Sequence, residues 1–274
     1  MIVKTLVEDS SVSENFEHEH GLSLFIETLN RKILFDLGKS GLFLKNAEKM
    51  GVSISNIDTV IISHGHSDHG GGLLDFLNVN NKAKIYIHKD GFKPHFSVHP
   101  SGEIRDISLK SELSSNPQIV LTNGNLKIDD ELELFSNIET KQFCSNSNKS
   151  LLMQKDSKQV EDNFEHEQNL IITEDEKCVL VAGCAHKGIV NILDKYIKIK
   201  GKAPNTAIGG FHLSRPSAGT SEPIELIDAV AQSLMKYNTQ YYTCHCTGKT
   251  AFTRLSEKMH NQVQYLAAGS EIKI

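Results

Sequence analysis

An eight-residue pattern occurs twice in this chain and restricts its fold more than any other feature. Asn15–Leu22 reads NFEHEHGL, and Asn163–Leu170 reads NFEHEQNL. Each copy precedes a short apolar run, a polar turn and a second apolar run, and a Lys-Ser-Gly or Lys-Gly turn then leads into a helical pattern. One pair of matching segments this far apart predicts two related halves that pack face to face, and argues against a solenoid of many short repeats.

Short apolar runs rich in β-branched residues recur along the chain and predict strands. They are Leu22–Glu27, Ile33–Phe35, Thr59–Ile62, Lys84–Ile87, Gln118–Leu121, Leu132–Phe135, Leu170–Thr173, Val179–Val181, Thr206–Ile208 and Gln240–Thr243. Helical periodicity lies between some of them, at Ser40–Met50, Ile189–Lys198, Glu222–Tyr237 and Lys249–His260. Strands mixed with helices over the whole length predict a layered α/β protein.

Two stretches show little periodicity. Asp90–Ser115 contains two prolines and is long for a structureless loop, so it is predicted to form a lid or wall over a site. Asn137–Lys158 is the most polar part of the chain and is interpreted as the connection between the halves.

The composition is that of an ordinary globular protein, since 39% of the 274 residues are apolar and 23% are charged. A net charge of −5 gives no reason to expect nucleic-acid binding. The longest apolar runs are far too short for a bilayer, and the N-terminus turns acidic at Glu8, so neither a membrane span nor a signal peptide is expected. Five cysteines, an odd number, indicate reduced thiols and a cytoplasmic protein. The sequence gives no indication of oligomeric state.

The strongest chemical signal is the segment SHGHSDHGG, which directly follows the apolar strand ending at Ile62. It supplies four metal ligands within six residues, namely His64, His66, Asp68 and His69. In a tight loop, the first two can face one metal and the last two a second, because neighbouring glycines let the backbone fold closely around them. Imidazole with a carboxylate suits several transition metals.

The order His-x-His-x-Asp-His after an apolar strand resembles the metallo-β-lactamase superfamily. The resemblance extends to Asp36 in ILFDLG and covers essentially the whole chain. It implies an α/β (α+β) fold, a four-layer αββα sandwich in a single domain over residues 1–274, with related halves of roughly 1–145 and 146–274. More narrowly, EHGLS, GCAH, GGFH and CHCTG are similar to the subfamily of a dihydropterin–ribofuranosylaminobenzene 5'-phosphate synthase of methanopterin biosynthesis and related metal-dependent hydrolases.

The resemblance also implies the remaining metal ligands. His245 matches the superfamily's last histidine ligand. Superfamily hydrolases usually carry Gly-Asp, with a bridging aspartate, where this chain has Gly-Cys184, so His186 is the first candidate for a substitute ligand and Cys184 the second. A helix cap for His186 and a soft-metal pair formed by the cysteines that flank His245 are the alternatives. The implied cofactor is a pair of divalent metal ions, zinc first, with Mn, Fe or Mg as alternatives.

Other residues are assigned to positions around the ligands. Those expected behind the ligands, where such groups orient ligand histidines, are Asp36, His20, Glu19, Glu167 and Cys184. His212, in GGFHLSR, is assigned as a substrate contact or general acid. Further candidate substrate contacts are Arg215, which suits a phosphate or carboxylate, Thr247 and Gly248 at the start of the last helix, and His88. A surface arginine and an ordinary helix start are the structural alternatives.

The resulting prediction is a metal-dependent hydrolase that uses a metal-activated hydroxide on an ester, lactone or phosphoester. Asp68 would orient the nucleophile, and His212 would protonate the leaving group. One alternative is a transferase that condenses a dihydropterin pyrophosphate with a ribofuranosylaminobenzene phosphate, and another is a non-catalytic metal-binding protein. A diiron redox module is disfavoured, because His66 stands where such members carry Glu. The expected partner is a small molecule containing a phosphate or a pterin, with no nucleic acid and no membrane.

Overall fold

The computed structural model contains both strands and helices and describes all residues from Met1 to Ile274. The strands are β1 (Ile2–Val7), β2 (Ser23–Glu27), β3 (Lys32–Phe35), β4 (Thr59–Ile61), β5 (Lys84–His88), β6 (His95–Val98), β7 (Ile104–Asp106), β8 (Ile119–Thr122), β9 (Leu126–Lys127), β10 (Leu132–Phe135), β11 (Leu151–Lys155), β12 (Lys158–Glu161), β13 (Asn169–Glu174), β14 (Lys177–Val181), β15 (Thr206–Gly209), β16 (Ser214–Arg215), β17 (Thr220–Ser221), β18 (Gln240–Thr243), β19 (Val263–Tyr265) and β20 (Glu271–Lys273).

The α-helices are α1 (Leu42–Lys49), α2 (Ser67–Gly70), α3 (Leu73–Val79), α4 (Ile189–Lys200), α5 (Ile224–Leu234) and α6 (Lys249–Met259). Every strand and helix predicted from the sequence is present, with ends that shift by a few residues. No helix combines the length and the apolar character that crossing a membrane requires.

The chain forms two units that interleave along the sequence. Met1–Pro94, Ile107–Asn123 and Leu266–Ile274 form the first unit, and His95–Asp106 with Gly124–Tyr265 form the second. Each unit has its own hydrophobic core. The first core packs residues of α1 and α3 with the strands of its sheet, and the second does the same with α4, α5 and α6. The single domain predicted over residues 1–274 stays a prediction.

The main sheets of the two units share one strand order and one pattern of directions. The first runs β20-β1-β2-β3-β4-β5-β8, and the second, taken from its β9 edge, runs β9-β10-β13-β14-β15-β18-β19. In both sheets the first three pairings are antiparallel and the last three are parallel. The hairpins β2–β3 and β13–β14 lie in different sheets, which confirms the two related halves predicted from the repeated pattern.

The parallel strands bring their carboxyl ends to one edge of each sheet. This is the edge at which open α/β sheets usually bind ligands. In the first unit, Asp36 follows β3, His64 follows β4 and His88 ends β5. In the second, Cys184 follows β14 and His212 follows β15. Sheet topology therefore positions most of the predicted site residues of each unit.

Helix α4 illustrates why these sequences form helices at these places. Ile192 and Tyr196 are buried in the core of the second unit, one turn apart on the same face. Lys198 and Lys200 stand in the last turn, where positive charge favours the helix dipole. Gly201 ends the helix in the left-handed conformation with φ 73°, which glycine adopts without steric cost.

A third sheet lies wholly in the second unit and has the order β12-β11-β6-β7. Strands β6 and β7 come from Asp90–Ser115, and β11 comes from Asn137–Lys158. The first stretch is therefore not structureless, and the second belongs to one unit instead of connecting two halves. The sequence hid these strands because every residue of β7 and β12 is exposed, so that no alternation of apolar and polar side chains marks them.

Candidate metal centre

The segment after β4 brings three buried histidines together in the first unit. His64, His66 and His69 are at most 3% exposed. The ring centroid of His64 lies 4.5 Å from that of His66 and 4.2 Å from that of His69. The side chain of Asp68, in the first turn of α2, is 18% exposed. We call these four residues the first histidine group.

Close backbone packing fixes the loop that carries this group. A Cβ atom at Gly71 would lie 2.3 Å from the carbonyl oxygens of both Lys39 and Ser67. The Asp68 carbonyl accepts a hydrogen bond from the Leu22 backbone N–H at 3.1 Å. The loop therefore requires glycine at position 71, because any side chain there would push two backbone segments apart.

Asp36 lies behind the first histidine group and sets the orientation of His69. Its Oδ2 atom lies 2.6 Å from His69 Nδ1 and accepts a hydrogen bond from the Ser63 hydroxyl at 2.8 Å. The same hydroxyl oxygen lies 2.8 Å from His64 Nδ1. Because the Asp36 carboxylate favours a proton on His69 Nδ1, the Nε2 atom keeps its lone pair for a metal. Asp36 has φ 62°, a backbone conformation that is uncommon outside glycine and concentrates at functional sites.

His20 and Glu19, both predicted to lie behind the ligands, contact different parts of the first unit. His20 Nδ1 lies 3.0 Å from an oxygen of Asp9, and its Nε2 lies 3.3 Å from an oxygen of Asp68. Glu19 Oε1 accepts hydrogen bonds from two consecutive backbone amides in the turn after β3, at 3.2 and 3.0 Å. His20 thus contacts a predicted ligand, whereas Glu19 fixes the turn.

Three strand ends of the second unit carry His186, His212 and His245, each at most 8% exposed. One nitrogen of His186, one nitrogen of His212 and the Cys184 sulfur lie within 4.8 Å of one another. Within the same distance, the Cys184 sulfur meets a nitrogen of His245 and the Cys246 sulfur. We call these five residues the second histidine group. His212 and His245 have φ of 49° and 50°, so both stand in the left-handed region.

Asn148, which the sequence did not single out, and Phe164 of the repeated pattern hold the ring of His186. Asn148 Oδ1 lies 3.1 Å from His186 Nδ1, and Asn148 Nδ2 donates to the His186 carbonyl at 2.8 Å. The Phe164 ring stacks on the imidazole, with centroids 4.4 Å apart and planes within 3° of parallel. With a proton on Nδ1 that donates to Asn148, the Nε2 atom of His186 keeps its lone pair. Asn148 lies in the polar stretch taken as a connection, where no signal separated it from its neighbours.

Glu167 holds the backbone around His186. Its carboxylate accepts hydrogen bonds from the N–H of His186 at 2.6 Å and of Lys187 at 3.1 Å. Burial raises the pKa of Glu167 to about 7, although these hydrogen bonds favour the ionised form. Glu19 and Glu167, which align in the repeated pattern, both accept two backbone amides in the turn after the hairpin. Each unit therefore contains the same type of glutamate–backbone contact, in addition to the same sheet topology.

The sulfur atoms give the second group a softer donor set than the first. Neither Cys184 nor Cys246 forms a disulfide, and both are buried. Burial opposes ionisation of the Cys246 thiol, but the neighbouring side chains of Cys184, His212 and His245 lower its pKa well below the usual value. Cys184, predicted to be a buried residue first and a ligand second, is buried, and its sulfur lies within 4.8 Å of a nitrogen of each of the three histidines of the group.

The predicted substrate contacts of the second unit differ in how many of their polar atoms already form hydrogen bonds. Neither ring nitrogen of His212 forms a hydrogen bond, so this buried imidazole has its polar atoms open to a ligand. Arg215 Nη2 donates to the Val98 carbonyl at 2.5 Å, while its Nε has no partner. The Thr247 hydroxyl accepts the Phe211 N–H at 2.8 Å and therefore holds the end of β15.

The last two candidates are placed differently. Gly248 has φ 73° and precedes α6, and a Cβ atom there would lie 2.6 Å from the Ser214 side chain. His88 belongs to the first unit, where its Nδ1 accepts the Asp90 N–H at 3.3 Å. In the second unit, Asp162 Oδ2 lies 3.1 Å from both His95 Nδ1 and His166 Nε2, contacts that the sequence did not predict.

Known proteins resemble this chain over its whole length. A family model described as the metallo-β-lactamase superfamily matches residues 18–141. A 7,8-dihydropterin-6-methyl-4-(beta-D-ribofuranosyl)-aminobenzene-5'-phosphate synthase from Methanocaldococcus jannaschii is 30% identical, over 99% of this chain and 96% of its own. An uncharacterized protein from the same organism is 28% identical, over 93% of this chain and 94% of its own. The crystal structure of a metal-dependent hydrolase of the β-lactamase superfamily is 27% identical and superposes with a TM-score of 0.84, covering 100% of this chain and 99% of that one.

Proposed function

Because this chain belongs to the metallo-β-lactamase superfamily, we propose that it is a metal-dependent hydrolase of small-molecule esters, lactones or phosphoesters. The observation that carries the proposal is the first histidine group, in which three buried imidazoles and one aspartate follow a single parallel strand. Buried imidazole nitrogens and a carboxylate are typical ligands of a divalent transition metal, and a carboxylate that accepts a hydrogen bond from a ligand histidine is typical of the residues around such a site.

The proposed ligands are His64, His66, Asp68 and His69 of the first histidine group, with His186 and His245 of the second. The donors fit such an ion, because Asp36 and Asn148 each favour a proton on Nδ1 of one ligand histidine and so leave Nε2 as a donor. Zinc is the first choice, and Mn, Fe or Mg are alternatives. When bound, two divalent ions supply Lewis-acid polarisation and a nucleophile at neutral pH.

The remaining chemistry belongs to the side chains of the chain itself. His212 is the proposed general acid, because its buried ring nitrogens make no hydrogen bond and can hold a proton for a leaving group. Asp68 is proposed to orient the attacking group, with His20 at 3.3 Å holding its carboxylate. Arg215, whose Nε is buried without a partner, is the proposed contact for a substrate phosphate or carboxylate.

A transferase is the second candidate. What favours it is the 30% identity to a dihydropterin-methyl-ribofuranosylaminobenzene phosphate synthase over nearly the full length of both chains. The same ligand residues would then hold divalent metal that neutralises the pyrophosphate of a dihydropterin substrate, and Arg215 would contact that pyrophosphate. The pyrophosphate would leave as the aromatic ring of the ribofuranosylaminobenzene phosphate attacks the pterin methylene carbon. In either case we propose a cytoplasmic protein, in keeping with its five cysteines, none of which forms a disulfide.

Product analysis separates the two candidates. Protein loaded with zinc or manganese is incubated with chromogenic esters, lactones and phosphodiesters singly, and then with a dihydropterin pyrophosphate with and without the ribofuranosylaminobenzene phosphate. Turnover with water alone supports the hydrolase, and condensation that needs both substrates supports the transferase. No product from fully loaded protein contradicts both and favours a non-catalytic metal-binding protein.

A matched pair of variants ties any turnover to the proposed site. His69→Ala removes a buried ligand that contacts Asp36, and His18→Ala removes an exposed histidine. Turnover should fall in the first variant and stay unchanged in the second.

A further inference from the structure

Glu222 is a buried glutamate of the second unit that the proposed chemistry does not use. It lies just before α5 and is 8% exposed. An acidic side chain at such a place usually caps the free amides of the first helical turn or offsets the helix dipole. The contacts of Glu222 are different, because neither of its side-chain oxygens accepts a hydrogen bond from an amide of α5.

Both oxygens of the Glu222 carboxylate instead contact a segment 75 to 77 residues earlier in the chain. Oε1 accepts hydrogen bonds from the Ser145 hydroxyl at 2.6 Å and from the Ser147 N–H at 3.1 Å. Oε2 accepts one from the side-chain amide of Asn146 at 2.8 Å. Three consecutive residues therefore donate to one carboxylate, and hydrogen bonds to a charged acceptor are roughly twice as strong as neutral ones.

The segment that Glu222 holds carries Asn148. A short helical turn spans Asn146–Ser150, and the Asn148 N–H donates to the Ser145 carbonyl at 3.4 Å. Asn148 Nδ2 donates to the His186 carbonyl at 2.8 Å, so its Oδ1 is the atom that faces His186 Nδ1, at 3.1 Å. Only a protonated Nδ1 can donate to that oxygen. The Asn148 amide therefore selects the form of His186 whose Nε2 has a lone pair.

The backbone of Glu222 contacts the segment that carries His212. Its N–H donates to the Leu213 carbonyl at 2.9 Å, and Leu213 directly follows His212. The ring centroid of His212 lies 4.1 Å from that of His186. Glu222 thus joins the segment of the proposed general acid to the segment that orients a proposed metal ligand.

We propose that Glu222 is a positioning residue, which holds Asn148 where its amide fixes the His186 ring for metal binding. This inference rests on the proposed metal site, because any effect of Glu222 on the reaction passes through His186. Without the carboxylate, three donors lose their acceptor and the turn that carries Asn148 loses its anchor. The His186 ring would then sample both neutral forms, and the form with its proton on Nε2 cannot bind metal through that atom.

The test is a double-mutant cycle on zinc affinity, measured by competition with a chromophoric chelator. Glu222→Ala and Asn148→Ala should each lower the affinity for one zinc ion by about 10-fold, the lower end of what the partners of ligand histidines contribute. The double variant should lose no more than Asn148→Ala alone, because Glu222 acts through Asn148. A role of Glu222 in stability alone would make the two losses independent.

Two further variants complete the cycle. Glu222→Gln should keep most of the zinc affinity, because its amide oxygen still accepts two hydrogen bonds and the Asn146 amide can turn to face its amide nitrogen. Glu225→Gln, an exposed change in the first turn of α5, is the matched control and should leave zinc affinity unchanged.

A second measurement uses metal-free protein and no substrate. Nitrogen chemical shifts of labelled histidines show which ring nitrogen of a neutral imidazole carries the proton. His186 should be protonated on Nδ1 in wild type, and its signals should move toward a mixture of both forms in Glu222→Ala. Ser145→Ala removes one donor and leaves the carboxylate in place, so it should shift the signals in the same direction by less. This variant covers the case in which Glu222→Ala does not fold.

Additive losses in the double variant, or an unchanged His186 ring in folded Glu222→Ala and Ser145→Ala, would overturn the proposal. Zinc-loaded protein that converts none of the tested substrates would contradict the proposed function instead, and it would leave the His186 signals of the metal-free variants as expected. The two failures are therefore distinguishable.

Discussion

Asp36 determines which nitrogen of His69 is offered to a metal, because its buried carboxylate lies 2.6 Å from Nδ1. Asp36→Asn keeps the volume but weakens the acceptor, so zinc affinity should fall roughly 10–100-fold. Competition with a chromophoric chelator measures the affinity. Asp130→Asn, at a fully exposed side chain, is the control and should leave affinity unchanged. Equal affinities in both variants would contradict the role of Asp36.

His212 should be separable from the metal ligands. Its ring nitrogens make no hydrogen bond, and the proposed ligand set does not include it. His212→Ala should therefore keep full metal content while turnover falls by about 10²–10⁴-fold, the usual contribution of a general acid. Metal analysis and steady-state kinetics on the same sample test this, with His18→Ala as control. If the variant loses a metal ion, His212 is a ligand instead.

Glu167 should make stability depend on pH. Its pKa is about 7 in the folded protein against a usual 4.5. Between these values the folded state keeps a proton that the unfolded state has released, so the free energy of unfolding falls as pH rises from 4.5 to 7. The shift corresponds to about 3 kcal/mol. Urea unfolding of metal-free protein at several pH values should show this slope in wild type and in Glu165→Gln, and not in Glu167→Gln. An identical pH slope in all three proteins would show that Glu167 does not titrate there.

At the residue scale, the sequence predicted site residues that are close together along the chain and missed contacts between residues that are far apart along it. Four donors within six residues after a strand made the first histidine group visible. Asn148 contacts His186 from 38 residues away, and His95 meets Asp162 from 67 residues away. Such pairs form only when sheets place distant segments side by side, so a local pattern carries no information about them.

At the scale of elements, backbone hydrogen bonds join the loop that begins at His64 to the short helix α2, since the N–H groups of His69 and Gly70 both donate to the His66 carbonyl. Gly71→Ala would bring a methyl group to 2.3 Å from two carbonyl oxygens, so the backbone must move. Such overpacking costs about 1–3 kcal/mol, and zinc affinity should fall because His69 moves with the helix. Chemical unfolding and zinc titration measure the two effects.

Gly51→Ala is the control for Gly71→Ala. A Cβ atom at Gly51 meets nothing within 4 Å, although its φ is 68°. The expected cost is about 1–2 kcal/mol from backbone conformation alone, with zinc affinity unchanged. Equal losses of zinc affinity in the two variants would mean that the packing of Gly71 does not hold the site.

The central strands were predictable because each is an apolar run between turn residues, as in β4, whose three residues are all buried. The edge strands of the third sheet were not, since β7 and β12 have no buried residue. Pairing with β6 and β11 forms these strands through backbone hydrogen bonds, which leave no hydrophobic pattern in the sequence.

On the scale of the whole molecule, the repeated pattern was the sequence feature that predicted most of the fold, namely two related halves. Two units with the same order and direction of seven strands are what a duplicated half would give, and the predicted metallo-β-lactamase fold is confirmed by the superposition with a known hydrolase of that superfamily. The sequence did not predict which segments belong to which unit. The last strand, Glu271–Lys273, pairs with β1 and therefore belongs to the first unit, although it lies at the end of the chain.

The central claim is that turnover requires divalent metal at the proposed ligands. The most direct measurement follows metal content and hydrolysis in one sample of wild type and one of His69→Ala, before chelation, after chelation and after zinc is restored. Wild type should bind about two ions at the proposed ligands, lose turnover with them and regain it with zinc. His69→Ala should regain neither the full metal content nor the turnover of wild type. Turnover that persists in chelated, metal-free wild type would contradict the account.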